Sequence, residues 1–248
     1  AKEAKNIDVE HHSANNVVAN ELLRFFNENE AFKRKLAVTD VPFANREELG
    51  IFMCDAVCSE AKADFVVWNE GGIRLDHLPA GPITVQQVLT LDPFGNRCVE
   101  LNLTGKELYD LMAACYVNDE NRFPYTSSNL SCTVTVDKNK PNVIKSIVMT
   151  DAKGKRLDMK KTYRVAMNSY RGNGGGELLT RGAGISFEEL PRRIVWMSSK
   201  DQRQIIMDYI HAKGTIAPEP HNNWQFVPKA WAELAIAADK RLLFPDCH

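Results

Sequence analysis

Three stretches of the chain combine backbone freedom with groups that hold flat, charged molecules, and each reads as a loop. In Asn69-Glu70-Gly71-Gly72-Ile73-Arg74, two glycines let the backbone come close to a ligand, and an arginine fork is suited to clamp a phosphate in bidentate fashion. In Asp92-Pro93-Phe94-Gly95-Asn96 an aromatic ring stands between Pro and Gly, where it can serve as a stacking platform for a base. Asn168-Ser169-Tyr170-Arg171-Gly172-Asn173-Gly174-Gly175-Gly176 adds a second ring, a second cation and a run of glycines. Each has a plainer reading when taken singly: a tight turn with a solvated arginine, a phenylalanine buried under its loop, a hairpin connection. Taken together, loops that supply two rings, two guanidiniums and several glycines describe the grip on a planar base and its phosphate.

Such loops need rigid elements on either side. A helix is expected from about Arg46 to Ala61, and the apolar run Ala63-Asp64-Phe65-Val66-Val67-Trp68 has the look of a buried strand. Thr84-Val85-Gln86-Gln87 and Thr104-Gly105-Lys106-Glu107 have capping-box spacing and mark two helix starts, with a half-buried alternating strand at Cys98–Leu103 between them. From Ser131 to Met167 the runs Thr133–Val136, Val143–Met149 and Tyr163–Met167 predict an antiparallel meander. A last helix is expected after the box Ser199-Lys200-Asp201-Gln202, ending at Gly214. The first 40 residues read as a helix, with Val17, Val18, Leu22, Leu23, Phe25 and Phe26 on one stripe, followed by a polar loop. Helices interspersed with strands around a run of short strands imply an α+β fold, mixed β-sheets flanked by helices in a layered arrangement. The division follows: an N-terminal helical extension over 1–40, a ligand-binding domain over 41–227 and a helical tail over 228–248.

Composition limits what such a domain can do. With 248 residues, 44% hydrophobic and 25% charged, the chain has material for one large core or two small ones. A formal net charge of −1 supplies no global field for a polyanion, so phosphate recognition has to be local and neither nucleic acid nor a membrane surface is an expected partner. No run of 18 apolar residues suggests a membrane span, and the first residues lack the apolar core of a signal peptide. The six cysteines form no C-x-x-C pair, and Cys54 and Cys58, four apart, are expected to share a buried helix face. Gly105-Lys106 lacks the upstream glycine of a Walker A loop, the Gly172–Gly176 run does not fit G-x-G-x-x-G, and no G-x-S-x-G is present.

The ordered set N-x-G-G-I-R, Ile83-Thr84, P-F-G-N, L-T-G-x-E-L at Leu103–Leu108, N-x-Y-R with its glycine run, and Asn222-Asn223-Trp224 resembles the C-terminal domain of the 5'-nucleotidases. Tyr170-Arg171 brings it nearest to the branch that includes bacterial 2',3'-cyclic-nucleotide phosphodiesterases and 3'-nucleotidases. The resemblance spans about Arg46 to Val227 and implies a substrate-binding domain. Its two base-sandwiching aromatics map onto Phe94 and Tyr170. Asn69 and Arg74 are implied to contact the base and the phosphate or ribose side, and Gly71 and Gly72 to let the backbone approach. Asn96 and Arg171, beside the two rings, complete the set, with Arg46 mapped onto an upstream phosphate-binding arginine. Many relatives carry Asp in the glycine loop to hold the ribose hydroxyls; Gly176 stands there in this sequence, which implies altered ribose recognition.

Relatives of full length place a di-metal phosphoesterase domain ahead of this one, where two ions activate water. The histidines here, His11, His12, His77, His211, His221 and His248, are scattered and show no D-x-H, G-N-H or G-H-x-H grouping. The expectation is a free-standing nucleotide-binding module in nucleotide catabolism, without catalytic residues or metal ligands of its own, served by a separate metallophosphatase domain or chain. A self-sufficient nucleotidase with an unrecognised metal site and a degenerate interaction scaffold are the alternatives. The family resemblance implies export to the periplasm or the cell exterior.

Overall fold

The computed structural model describes residues 24–25, 28–117, 123–137, 140–219 and 223–230. Most of the expected N-terminal stripe, His11-His12, Asn222 and the tail beyond residue 230 lie outside them. Among the described residues, three β-sheets and four longer helices make up the fold. A central sheet has the order β5 (Tyr125–Thr126), β2 (Phe65–Trp68), β8 (Thr162–Asn168), β4 (Arg97–Thr104) and β9 (Ile194–Asp201). Strands β2 and β8 run parallel, whereas β4 is antiparallel to both β8 and β9. A small sheet joins β10 (Thr215–Ile216), β1 (Lys35–Thr39) and β3 (Gly81–Thr84). Another joins β11 (Trp224–Val227), β6 (Leu130–Asp137) and β7 (Lys140–Asp151).

The central sheet divides two apolar cores, and the strand sequences show why. On β2, Val66 and Trp68 face a core shared with α1 (Arg46–Glu60), α2 (Val85–Leu91), α4 (Gln202–Lys213) and the β1 sheet. Phe65 and Val67 face the other core, built with α3 (Gly105–Val117), β6 and β7. Burial on both faces demands apolar residues at every position, which is why this strand shows no alternation. On β4 the expected alternation is present: Val99, Leu101 and Leu103 face the second core, while the half-buried Asn102 and the buried Glu100 stand at the intervening positions. Glu100, buried on β4, is paired with Arg164 of β8, which compensates its charge.

Both capping boxes form. Thr84 and Gln87 bond reciprocally at the start of α2, and Thr104 and Glu107 do so at α3. The box expected at Ser199 does not form, because β9 runs on to Asp201; Asp201 itself caps α4 by accepting the Gln204 N–H at 3.0 Å. Gly214 ends α4 as expected. Two corrections concern strands. Residues 35–39, expected as polar loop, form β1, and the meander does not exist as such. β6 and β7 are an antiparallel hairpin, but Tyr163–Met167 leaves them and pairs with β4 and β2 in the central sheet. Among the described residues no helix is long and apolar enough to cross a membrane.

Candidate functional site

The site lies at one edge of the central sheet. β2 ends there just before Asn69, β8 ends there at Asn168, and the antiparallel β4 begins there after Asn96. Three loops separated by up to 99 residues in sequence thus meet because of strand direction, in a crevice outside strand ends where open sheets commonly hold ligands. Side chains stitch the loops together. Asn168 Nδ2 donates to Asn69 Oδ1 at 2.6 Å, and Asn168 Oδ1 accepts the Arg171 N–H at 2.9 Å. Ser169 Oγ donates to Asn96 Oδ1 at 3.1 Å and accepts the Arg97 N–H at 3.2 Å. Asn168 is buried, so its amide is committed to these bonds.

A cavity of about 550 Å³ opens between the loops, within the size range of small-molecule sites. Asn69, Gly71, Gly72, Arg74, Phe94, Asn96, Tyr170 and Arg171 all line it. Phe94 is 50% exposed and Tyr170 52%, so neither ring is spent on a core. Each ring has a guanidinium near it: Arg74 Cζ lies 5.1 Å from the Phe94 centroid, and Arg171 Cζ lies 5.6 Å from that of Tyr170. Cation–π contacts of this exposed kind contribute roughly 0.5–1 kcal/mol and keep the cations on the cavity wall. The Arg74 N–H donates to Leu91 O at 3.0 Å, tying the first loop to the end of α2.

Arg46 is the exception among the expected residues. It stands in the first turn of α1, where its guanidinium pairs with Glu70 at 2.7 Å and with Asp76 at 2.9 Å, and it is not part of the cavity wall. Glu70 is buried and does line the cavity, so Arg46 acts by neutralising a carboxylate under the Glu70–Gly72 turn.

Gly176 explains how Arg171 reaches the wall. Its φ of 66° is left-handed, and a Cβ built there would collide with Arg171 Nη1. The guanidinium therefore occupies the space that a side chain at position 176 would need, held there by a 3.1 Å bond from Nη1 to Gly175 O.

Several wall residues were missed by sequence reasoning. Cys115 and Leu178 are apolar lining with no local signal. Burial pushes the Cys115 thiol up to about 12 and its Sγ donates to Leu111 O, so it is an inert wall group. Pro124 is held by the Trp224 indole, which donates to its carbonyl at 2.8 Å, while buried Asn223 donates to Thr126 O and Ser127 O. The Asn223-Trp224 pair thus supports the wall from behind. Among the described residues, no group of three or more His, Cys, Asp or Glu side chains is placed to hold a metal ion.

A mixed sheet whose edge gathers two half-exposed rings and two guanidiniums around a cavity of about 550 Å³ has the makings of a small-molecule site. The comparisons make this specific: the family described as the 5'-nucleotidase C-terminal domain matches residues 29–181, and the chain belongs to that family. A 5'-nucleotidase of Vibrio vulnificus is 33% identical over 128 residues, covering 51% of this chain and 22% of its own length. The trifunctional nucleotide phosphoesterase protein YfkN of Bacillus subtilis is 31% identical over 184 residues, 67% of this chain and 12% of that protein. The chain therefore spans under a quarter of these relatives. Among solved structures, a 5'-nucleotidase precursor from Thermus thermophilus superposes with a TM-score of 0.68 at 23% identity, covering 84% of this chain and 42% of that one, which fixes the fold.

Proposed function

We propose that the domain binds nucleotides or nucleosides as the substrate-recognition part of a nucleotide phosphohydrolase. In this reading Phe94 and Tyr170 take the base between them, Arg74 and Arg171 attract phosphate, and Asn69, Asn96 and the Gly71-Gly72 backbone fix orientation. The observation that carries it is the convergence of two half-exposed rings, each with its arginine, from loops far apart in sequence onto one cavity. Stacking contributes about 1–3 kcal/mol per base–aromatic contact. Micromolar binding requires about 8 kcal/mol, so the arginines and backbone donors supply the remainder and affinity is expected to be micromolar or weaker.

Bond cleavage belongs, in this reading, to a di-metal phosphoesterase domain in the same polypeptide or in a separate chain, with divalent metals acting there and the whole serving nucleotide catabolism outside the cytoplasm. The placement of Arg171 adds a preference. A cation occupies the side on which relatives use Asp for the ribose hydroxyls, so a phosphate on the ribose 2',3' edge is favoured over a bare diol. A thermal-shift screen tests the proposal: adenosine and adenosine monophosphates should raise the melting temperature, the 3'-phosphate more than adenosine. No shift with any nucleoside, nucleotide or cyclic nucleotide would overturn it.

A further inference from the structure

Next to the Phe94 loop, outside the cavity lining, sits a buried polar cluster. Asp92 is fully buried at the end of α2, and Gln202, at the first position of α4, is 1% exposed. Asp92 Oδ1 accepts the Phe94 N–H at 3.2 Å, and Gln202 Nε2 donates to Asp92 Oδ2. The Gln202 backbone N–H donates to Asn96 O at 2.8 Å. Loop residues on both sides of Gly95 are thereby pinned to the start of one helix. Gly95 itself has φ 63°, and a Cβ there would stand 2.7 Å from Arg203 Nη2. The Arg203 guanidinium, paired with Asp201 at 2.9 Å, lies directly beneath the turn.

This arrangement is costly in isolation. Burial holds the Asp92 carboxyl above the usual carboxylate range, with the Gln202 and Phe94 hydrogen bonds opposing the shift. Gln202 Oε1 is buried without a hydrogen-bond partner among the described residues, because a carboxylate can only accept and so turns the amide nitrogen toward itself. An apolar pair would fill the same space without either penalty. What an apolar pair could not do is hold, by hydrogen bonds, the backbone of a ring that is itself half exposed.

We infer that Asp92 and Gln202 are positioning residues that hold the Phe94-Gly95-Asn96 loop in its binding geometry before ligand arrives. The inference rests on the proposed nucleotide-binding role of Phe94. Ordering a loop on binding subtracts from affinity, and a loop already fixed by buried hydrogen bonds avoids that loss. The chemistry also says which substitution is tolerated. Asp92→Asn keeps an oxygen for the Phe94 N–H, and its Nδ2 can donate to Gln202 Oε1 once the glutamine amide turns over. Asp92→Ala and Gln202→Leu offer no such exchange.

The test measures adenosine affinity by calorimetry in wild type, Asp92→Ala, Asp92→Asn, Gln202→Leu and Phe94→Ala, with melting temperature and amide hydrogen exchange of residues 94–97 recorded for each. The expected result is at least a five-fold loss of affinity and faster exchange in Asp92→Ala and Gln202→Leu, with Asp92→Asn within two-fold of wild type. Wild-type affinity in Gln202→Leu alongside a clear loss in Phe94→Ala would overturn the positioning role and leave the binding site intact. Equal loss in Asp92→Asn and Asp92→Ala would likewise overturn it, since the neutral isostere should rescue. Unchanged affinity in Phe94→Ala would remove the binding reading itself, and this inference with it. Should Asp92→Ala fail to fold, Gln202→Leu and Asp92→Asn decide the matter.

Discussion

The Phe94 loop and the Tyr170 loop each present a half-exposed ring to the cavity with a guanidinium within 6 Å of it, Arg74 from the neighbouring loop for Phe94 and Arg171 of the same loop for Tyr170, yet they are held by different means. The Phe94 loop is pinned from behind by buried side chains of α2 and α4. The Tyr170 loop is shaped by its own backbone: Gly174, Gly176 and Glu177 all have positive φ, and the turn Ser169–Gly172 is capped by Asn168. One wall of the site is thus braced by packing and the other by local conformation. Substitutions should therefore separate the two walls.

The largest effect is expected where left-handed backbone conformation shapes the loop. Gly176→Val places a β-branched residue at φ 66° and drives its Cβ into Arg171, and strain of this kind costs about 1–3 kcal/mol. Thermal denaturation should show a fall of several degrees. A melting temperature equal to wild type would mean that the Tyr170 loop has another conformation available.

Asn168→Ala strikes the seam between the walls. It removes the cap on the Arg171 N–H and the bond to Asn69 together, and cap loss typically costs about 0.5–2 kcal/mol. Urea denaturation should report a loss in that range. A change under about 0.3 kcal/mol would show the loops to be independent of this residue.

The smallest and most discriminating effect concerns pH. The folded pKa of Asp92 lies above its unfolded value, so the folded state binds the proton more tightly. Stability linked to this proton is present below the unfolded pKa and lost as pH rises through the folded pKa. Asp92→Asn removes that loss, so its melting temperature should exceed wild type at pH 7, with the gap closing toward pH 4. A gap that stays constant with pH would show that Asp92 does not titrate as its burial requires.

Much of this was legible in the sequence, and the parts that were not have physical reasons. The capping boxes at Thr84 and Thr104 are local hydrogen-bond patterns, so local sequence suffices to find them. The box at Ser199 was misplaced because the edge strand β9, with Val195 and Met197 exposed, carries too little apolar periodicity to announce itself. β8 follows the β6–β7 hairpin in sequence but pairs with β4, some 60 residues upstream, and nothing local records that choice. At the site, Phe94 and Tyr170 are recognisable only from several motifs in order, whereas Arg46 stands at a motif position but outside the cavity wall, paired with Glu70. Asp92 and Gln202 lie 110 residues apart, and a buried polar pair leaves no trace in periodicity.

Calorimetric titration of adenosine into wild type, Phe94→Ala and Tyr170→Ala puts the central claim to the test most directly. With both rings on one base, each truncation should weaken binding at least several-fold, consistent with about 1–3 kcal/mol of stacking on each face. Wild-type affinity in both variants would contradict the account.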